Sequence, residues 1–397
     1  MIPIYHLDEE AMNNKVFAVP CSNYEETFEK IKILMDSMGG MNGFVKQGET
    51  IIVKPNLLLP AVPEKAVTPH PNVVTAVLKL VKETGGNPLI AESAGSGYSH
   101  TEKTLNRLYE KCGIREAALV VKAELNYDTT FKTISFPEGK LIKRFEIITP
   151  VLQANGLINL CKLKTHGFMS MTGAVKNLFG VIPGRTKPGY HAKLSHPERF
   201  AAMLLDLSDF IASRLSIMDA VIGMEGDGPS GGKPKKAGFL LAAANPLALD
   251  VVAGEMMGLP KKDNPILAEA ERRGLEPTHP DEIDLVGADY KDLRIPGFVL
   301  PKTIGKESGF GLPSVLGKIV SSLFLKAATL KPFINRNNCT ACGACRDACP
   351  VKVITLIDDR YAHIDPKNCI RCYCCHEMCQ YDAVELRRGR FFNLISR

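Results

Sequence analysis

The chain has 397 residues, of which 45% are hydrophobic and 23% charged, with a formal net charge of +6. That length allows two or three domains and a sizeable core, and the balance is ordinary for a globular protein. A charge of +6 is too mild at this length to argue for nucleic acid, and the absence of Trp removes the best stacking platform for bases. No stretch reaches ~18 apolar residues, so no transmembrane segment is expected. The opening MIPIYHLDEEAMNN has no basic segment leading into an apolar run, so no signal peptide is expected, and the cytoplasm is the expected compartment.

The first ~300 residues alternate strand-like and helix-like runs. VFAVP (16–20) reads as a strand, and residues 24–38 as an amphipathic helix stopped by Gly39-Gly40. TIIVKPN (50–56) reads as a buried strand. Pro71 opens a helix through Thr84, and PLIAES (88–93) is the next strand. Ser99 and Glu102 have capping-box spacing for a helix ending at Gly113. Further strands are expected at 156–161, 215–221, 238–243 and 282–286, and helices at 172–179, 197–213, 246–257 and 264–273. Such alternation predicts an α/β fold with a largely parallel sheet over residues 1–299. Residues 300–334 read as a linker, with an amphipathic helix at 316–333 that packs on the body or the C-terminal domain, or lies on a membrane surface.

The tail, 335–397, carries a cysteine ruler. Cys339, Cys342, Cys345 and Cys349 are followed, each 30 residues later, by Cys369, Cys372, Cys375 and Cys379. Both runs read C-x2-C-x2-C-x3-C, the spacing by which thiolates hold two 4Fe–4S clusters, with each fourth ligand serving the other cluster. Cys339, Cys342, Cys345 and Cys379 are expected to hold one cluster, and Cys369, Cys372, Cys375 and Cys349 the other. This predicts a small α+β ferredoxin-like domain binding two 4Fe–4S clusters. The repeat leaves Cys374, next to Cys375, without a ligand role. The first run ends in Pro350 and the second in Gln380, an asymmetry in the backbone donors near the clusters. Cluster thiolates need a reducing compartment, which suits an anaerobic host.

In the body, polar residues close several apolar strands, where ligands bind in parallel-sheet domains. Lys54 and Asn56 close one, Glu92 and Ser93 another, and Lys162, Lys164, Thr165 and His166 follow GLINLC. Lys54, Lys164 and Lys176 would offer positive charge to a carboxylate or phosphate, and His166 a proton near neutral pH. Glu225 and Asp227, in GMEGDGPSGG, would accept protons, bind a cation or pair with lysines. AGSG (94–97) is a weak phosphate-loop signal. Thr172 is a natural N-cap for a helix carrying Lys176 and Asn177, whose N-terminus would suit an anion.

KPNLL (54–58), TPHP (68–71), TGAVKNLFGVIPG (172–184), IMDAVIGMEGDGP (217–229) and NPLALDVVAGEMMG (245–258) resemble the domain-of-unknown-function family 362. The resemblance implies an iron–sulfur protein with a C-terminal pair of cluster motifs and no agreed reaction. His166, Gly173, Lys176, Pro183 and Gly184 are also similar to a stretch of the nickel-pincer lactate racemases. That resemblance implies Lys176 as a cofactor tether and His166 as ligand or base, although Ala174-Val175 departs from the Gly-rich sequence there.

Three functions follow as expectations. The first is a ferredoxin-linked oxidoreductase, fed by a redox partner protein such as a ferredoxin or flavodoxin, acting on an anionic small molecule. His166, Lys176, Glu225 and Asp227 would do the chemistry there, and Lys54, Asn56, Lys164, Thr172 and Asn177 would bind. The second is a non-catalytic electron-transfer or maturation partner of a larger redox enzyme. The third is a racemase-like enzyme.

Overall fold

A computed structural model describes residues 12–184, 186–303 and 330–387. The strands are β1 Lys15–Pro20, β2 Thr50–Pro55, β3 Asn87–Ile90, β4 Glu124–Leu125, β5 Phe131–Ser135, β6 Arg144–Ile148, β7 Gly156–His166, β8 Ser170–Met171, β9 Leu215–Glu225, β10 Lys233–Ala243 and β11 Asp284–Val286 in the body. The tail adds β12 Lys331–Ile334, β13 Ile354–Ile357, β14 Tyr361–Ile364 and β15 Val384–Arg387. Nine strands form one sheet in the order β11-β1-β10-β9-β7-β2-β3-β4, with β8 paired to β7 off this path. Within it β10 runs against β1 and β9, β8 runs against β7, and the other neighbours are parallel. This is the mostly parallel α/β body expected from the alternation.

Side-chain alternation explains why helices cover both faces. Ile51 and Val53 of β2 face the core beneath helices Thr27–Ser37 and Pro71–Glu83, whereas Ile52 faces the core beneath Pro197–Ile211. The central strand β7 is buried along its whole length, as a strand covered on both faces must be.

Several local expectations change. The helix at Glu102–Lys111 is capped by Thr101, whose hydroxyl accepts from Thr104 N at 3.3 Å, so the Ser99–Glu102 box does not form. Thr172 occupies the N-cap position of the helix Gly173–Asn177, but its side chain makes no capping bond. The carboxylate of Asp250 does that work from the helix Pro246–Met257. The hairpin β5–β6 and the helix Lys187–Lys193 had no signal in the apolar pattern. Most of the amphipathic stretch 316–333 lies outside the described residues. Its last part, Lys331–Phe333, belongs to β12, which pairs antiparallel with β15 and closes the cysteine domain. The chain from 331 onward therefore belongs to that domain rather than to a linker.

Candidate functional site: a cysteine domain docked on a lysine-rich cavity

The two cysteine runs fold as two cradles. Cys339, Cys342, Cys345 and Cys379 line one small cavity, and Cys349, Cys369, Cys372 and Cys375 line another. Each set takes its fourth sulfur from the opposite run. The repeat is visible in the backbone too. Ala341 and Arg371 have positive φ, as do Gly343 and Tyr373, and Lys352 and Asp382, each pair 30 residues apart. These left-handed residues curl each loop so that its sulfurs face inward. Backbone N–H groups of Ala362, Ala383 and Val353 point at the sulfurs of Cys339, Cys379 and Cys349 at 3.3, 3.2 and 3.4 Å. Inward sulfurs met by N–H donors fit an iron–sulfur cluster, whose bound thiolates are anionic acceptors. Cys374 is outside both cradles, fully buried between Cys372 and the body.

The second cysteine loop presses on the carboxyl ends of the parallel strands. Met378 packs on the loop after β3. A Cβ at Gly95 would come within 2.6 Å of Leu58 O and 3.0 Å of Met378 Sδ, and one at Gly97 within 3.1 Å of Met378 Cγ. The AGSG stretch is thus a platform for the cysteine domain, and its Gly95 and Ser96 also line a cavity beneath it. Gln380 donates to the Tyr98 hydroxyl, and Ser230 Oγ donates to Glu377 O at 2.6 Å.

Beneath this contact is a cavity of about 50 Å3. The body contributes Asn56, Glu92, Thr172, Lys176, Asn177, Lys187 and His191, and the cysteine domain contributes Glu377. Asn177 is locked in place. Its amide donates to Asn159 Oδ1 at 2.8 Å and Leu160 O at 3.2 Å, and its Oδ1 accepts from Asn56 Nδ2 at 2.8 Å. Lys187 donates to the carbonyls of Ser93 and Ala94 at 2.9 and 2.7 Å, and burial lowers its pKa to about 7. Burial likewise lowers the pKa of Lys176, which the nearby Glu377 opposes, and no hydrogen bond or ion pair engages its ammonium among the described residues. Asn56 Oδ1, Thr172 Oγ1 and His191 Nδ1 are buried polar atoms without partners, and all three residues line the cavity. Buried polar atoms are ordinarily satisfied, so three orphans around one void mark a place for a polar occupant.

His166 sits just behind. Its Nδ1 accepts from the N–H groups of Phe168 and Met169 at 3.0 and 3.2 Å, which puts the proton on Nε2. Nε2 lies 3.2 Å from Glu377 Oε1, close but misaligned for a hydrogen bond. Burial and then Lys176 push the His166 pKa well below its usual value, and burial pushes that of Glu377 up. Both ring nitrogens of His166 face protein, and His166 is not on the cavity wall.

Of the residues expected from sequence, Asn56, Thr172, Lys176 and Asn177 meet at the cavity. Lys54 is one step back, in a buried 2.5 Å ion pair with Glu92. Lys164 is also off the cavity wall, its Nζ donating to Val67 O at 2.7 Å. Glu225 and Asp227 turn away from it. Glu225 accepts from Val299 N at 3.0 Å, and Asp227 pairs with the exposed Lys302 at 2.6 Å. The chain swings outward at Gly226, which has φ +77°. Glu377, Lys187 and His191 had not been singled out. The repeat counterpart of Glu377, Asp347, is an exposed partner of Arg346. A wider open cavity of about 590 Å3 lies at the opposite ends of the strands, beside Arg214 and Asn245, and shares no residue with this site.

The signature of a family described as "domain of unknown function (DUF362)" matches residues 51–255. The chain belongs to this family. A 4Fe-4S binding domain signature matches residues 330–351, and with the cradles this makes the chain an iron–sulfur protein. A thylakoid-associated protein of a Synechocystis species is 33% identical over 297 residues, covering 75% of this chain and 89% of that one. The lactate racemase apoprotein from Thermoanaerobacterium thermosaccharolyticum aligns with a TM-score of 0.39 at 13% identity, over 64% of this chain and 59% of that one. No helix among the described residues is long and apolar enough to cross a membrane.

Proposed function

We propose that this chain is a ferredoxin-linked oxidoreductase acting on a small anion held between the body and the cysteine domain. The observation that carries this reading is Glu377. It lies between Cys375 and Cys379 in the chain, yet it forms part of the wall of a cavity whose other residues come from the body. Two 4Fe–4S clusters, one per cradle, would supply electrons one at a time, drawn from a redox partner such as a ferredoxin or flavodoxin. Cys342 is the exposed ligand of one cradle and Cys372 is buried against the body in the other, which supports entry at the first and exit at the second.

Charge supports an anion as the occupant. Lys54 and Lys162 are matched by Glu92 and Asp219 at 2.5 and 2.7 Å. Lys176 and Lys187, on the cavity wall, have no carboxylate within ion-pair distance among the described residues. Lys187 is buried with only neutral oxygens as partners, and a bound anion offsets the cost of burying its charge. Lys176 and the Thr172 hydroxyl orient the anion. Glu377 faces it from the cysteine domain as the candidate proton donor, with the Nε2–H of His166 3.2 Å from its carboxyl.

The test is anaerobic purification followed by reduction with dithionite. Addition of small oxidising anions such as nitrate or nitrite should then reoxidise the protein in at least one case, and Lys176→Ala should abolish that response. Clusters that only a protein partner can reoxidise, over a body that binds no anion, would leave the chain a non-catalytic electron carrier.

A further inference from the structure

The motif NPLALD (245–250) ends in a buried carboxylate that the cavity itself does not use. Asp250 is 1% exposed, within a helix whose other inward residues are apolar. Its Oδ1 accepts from Ala174 N at 2.5 Å and its Oδ2 from Val175 N at 3.1 Å. These are the second and third residues of the short helix Gly173–Asn177, and the next two are Lys176 and Asn177. Gly173 completes the arrangement. It has φ +62°, and a Cβ there would lie 2.2 Å from Asp250 Oδ1. The carboxylate can therefore reach the turn only because residue 173 has no side chain. A five-residue helix cannot hold its own direction, because too few of its hydrogen bonds are internal.

We infer that Asp250 is the positioning residue for Lys176: its carboxylate grips the first turn of the helix and so aims the Lys176 ammonium at the cavity. The inference rests on the reading that Lys176 meets the ligand, but its test does not. Asn is the informative substitution, because its amide keeps one acceptor for Ala174 N and turns a donor against the second N–H. The groups that act on Lys176 are Glu377, Cys374 and Lys54, all contributed by elements other than its own short helix.

The experiment uses the full-length, cluster-loaded protein under anaerobic conditions. Acetylation of Lys176 by acetic anhydride is followed against pH by peptide mass spectrometry, with the exposed Lys79 as internal reference. In native protein Lys176 should titrate below the usual lysine range. In Asp250→Ala the helix loosens, Lys176 gains water, and its midpoint should rise by about one pH unit, a tenfold change in proton affinity. Asp250→Asn should fall between, and Gly173→Ala should match Asp250→Ala, with iron content unchanged throughout. A Lys176 profile identical to native in Asp250→Asn and Gly173→Ala would overturn the inference. A shifted profile in a protein whose native form binds no anion would uphold it while removing the ligand reading.

Discussion

The two halves of the cysteine domain share spacing, loop conformation and sulfur geometry, yet one faces out and the other in. In the first run, Arg346 and Asp347 follow Cys345 and pair with each other at the surface, 2.9 Å apart. In the second, His376 and Glu377 follow Cys375 and are buried against the body. His376 Nδ1 bonds Val384 O at 2.6 Å, and Glu377 reaches the cavity. A repeat thus fixes how iron is held, while substitutions between the ligands decide which half reaches the cavity. Electron-transfer direction, in this reading, is a property of the non-ligand residues.

The comparison breaks most visibly at the ligands. Cys375→Ser should lose about four of some eight irons, whereas Cys374→Ser should keep them all, read by iron analysis and cluster absorbance. Loss of iron in Cys374→Ser alone would mean that the second run is registered differently from the first. Next is the pair of acids. Glu377→Ala empties a buried position at the contact between the two domains and should cost about 1–3 kcal/mol in denaturant unfolding of the loaded protein. Asp347→Ala, its repeat counterpart, should leave the midpoint unmoved. Equal effects would remove the distinction between inward and outward halves.

The inward half also faces a titrating amine. The Lys187 pKa is lowered to about 7, so the side chain is cationic below that pH and neutral above it. Anion affinity should therefore fall by about tenfold as pH rises from 6 to 8, and Lys187→Met should flatten that profile in calorimetric titration. The smallest effect concerns the run endings. Gln380→Ala removes the bond to Tyr98 and should cost about 1 kcal/mol, with both clusters intact.

How much of this was legible in the chain depends on the range of the cause. The cysteine ruler is local and periodic, so spacing alone predicts ligands. The strands β2 and β7 and the helices Pro71–Glu83 and Pro246–Met257 announce themselves through apolar runs, prolines and glycines. Asn56, Thr172, Lys176 and Asn177 were readable because strand ends and the turns after them converge on one edge of a parallel sheet. Glu377 was not, because its burial depends on docking across some 280 residues of chain from Gly95 and Tyr98. Asp250 was hidden for a similar reason: it looks like one polar residue in an apolar helix until the turn at Gly173 is brought beside it. Glu225 and Asp227 misled because acids after a strand read alike whether the next glycine bends the chain inward or outward.

Gly95 and Gly97 are more than room for Met378. Electron tunnelling decays exponentially with the gap between donor and acceptor, and these two missing side chains set how closely the inner cysteine loop approaches the cavity floor. A methyl group at Gly97, 3.1 Å from Met378 Cγ, would act as a shim, whereas one at Gly95 would also strike the Leu58 carbonyl 2.6 Å away. Under the proposed electron transfer, the rate in Gly97→Ala would record the added distance.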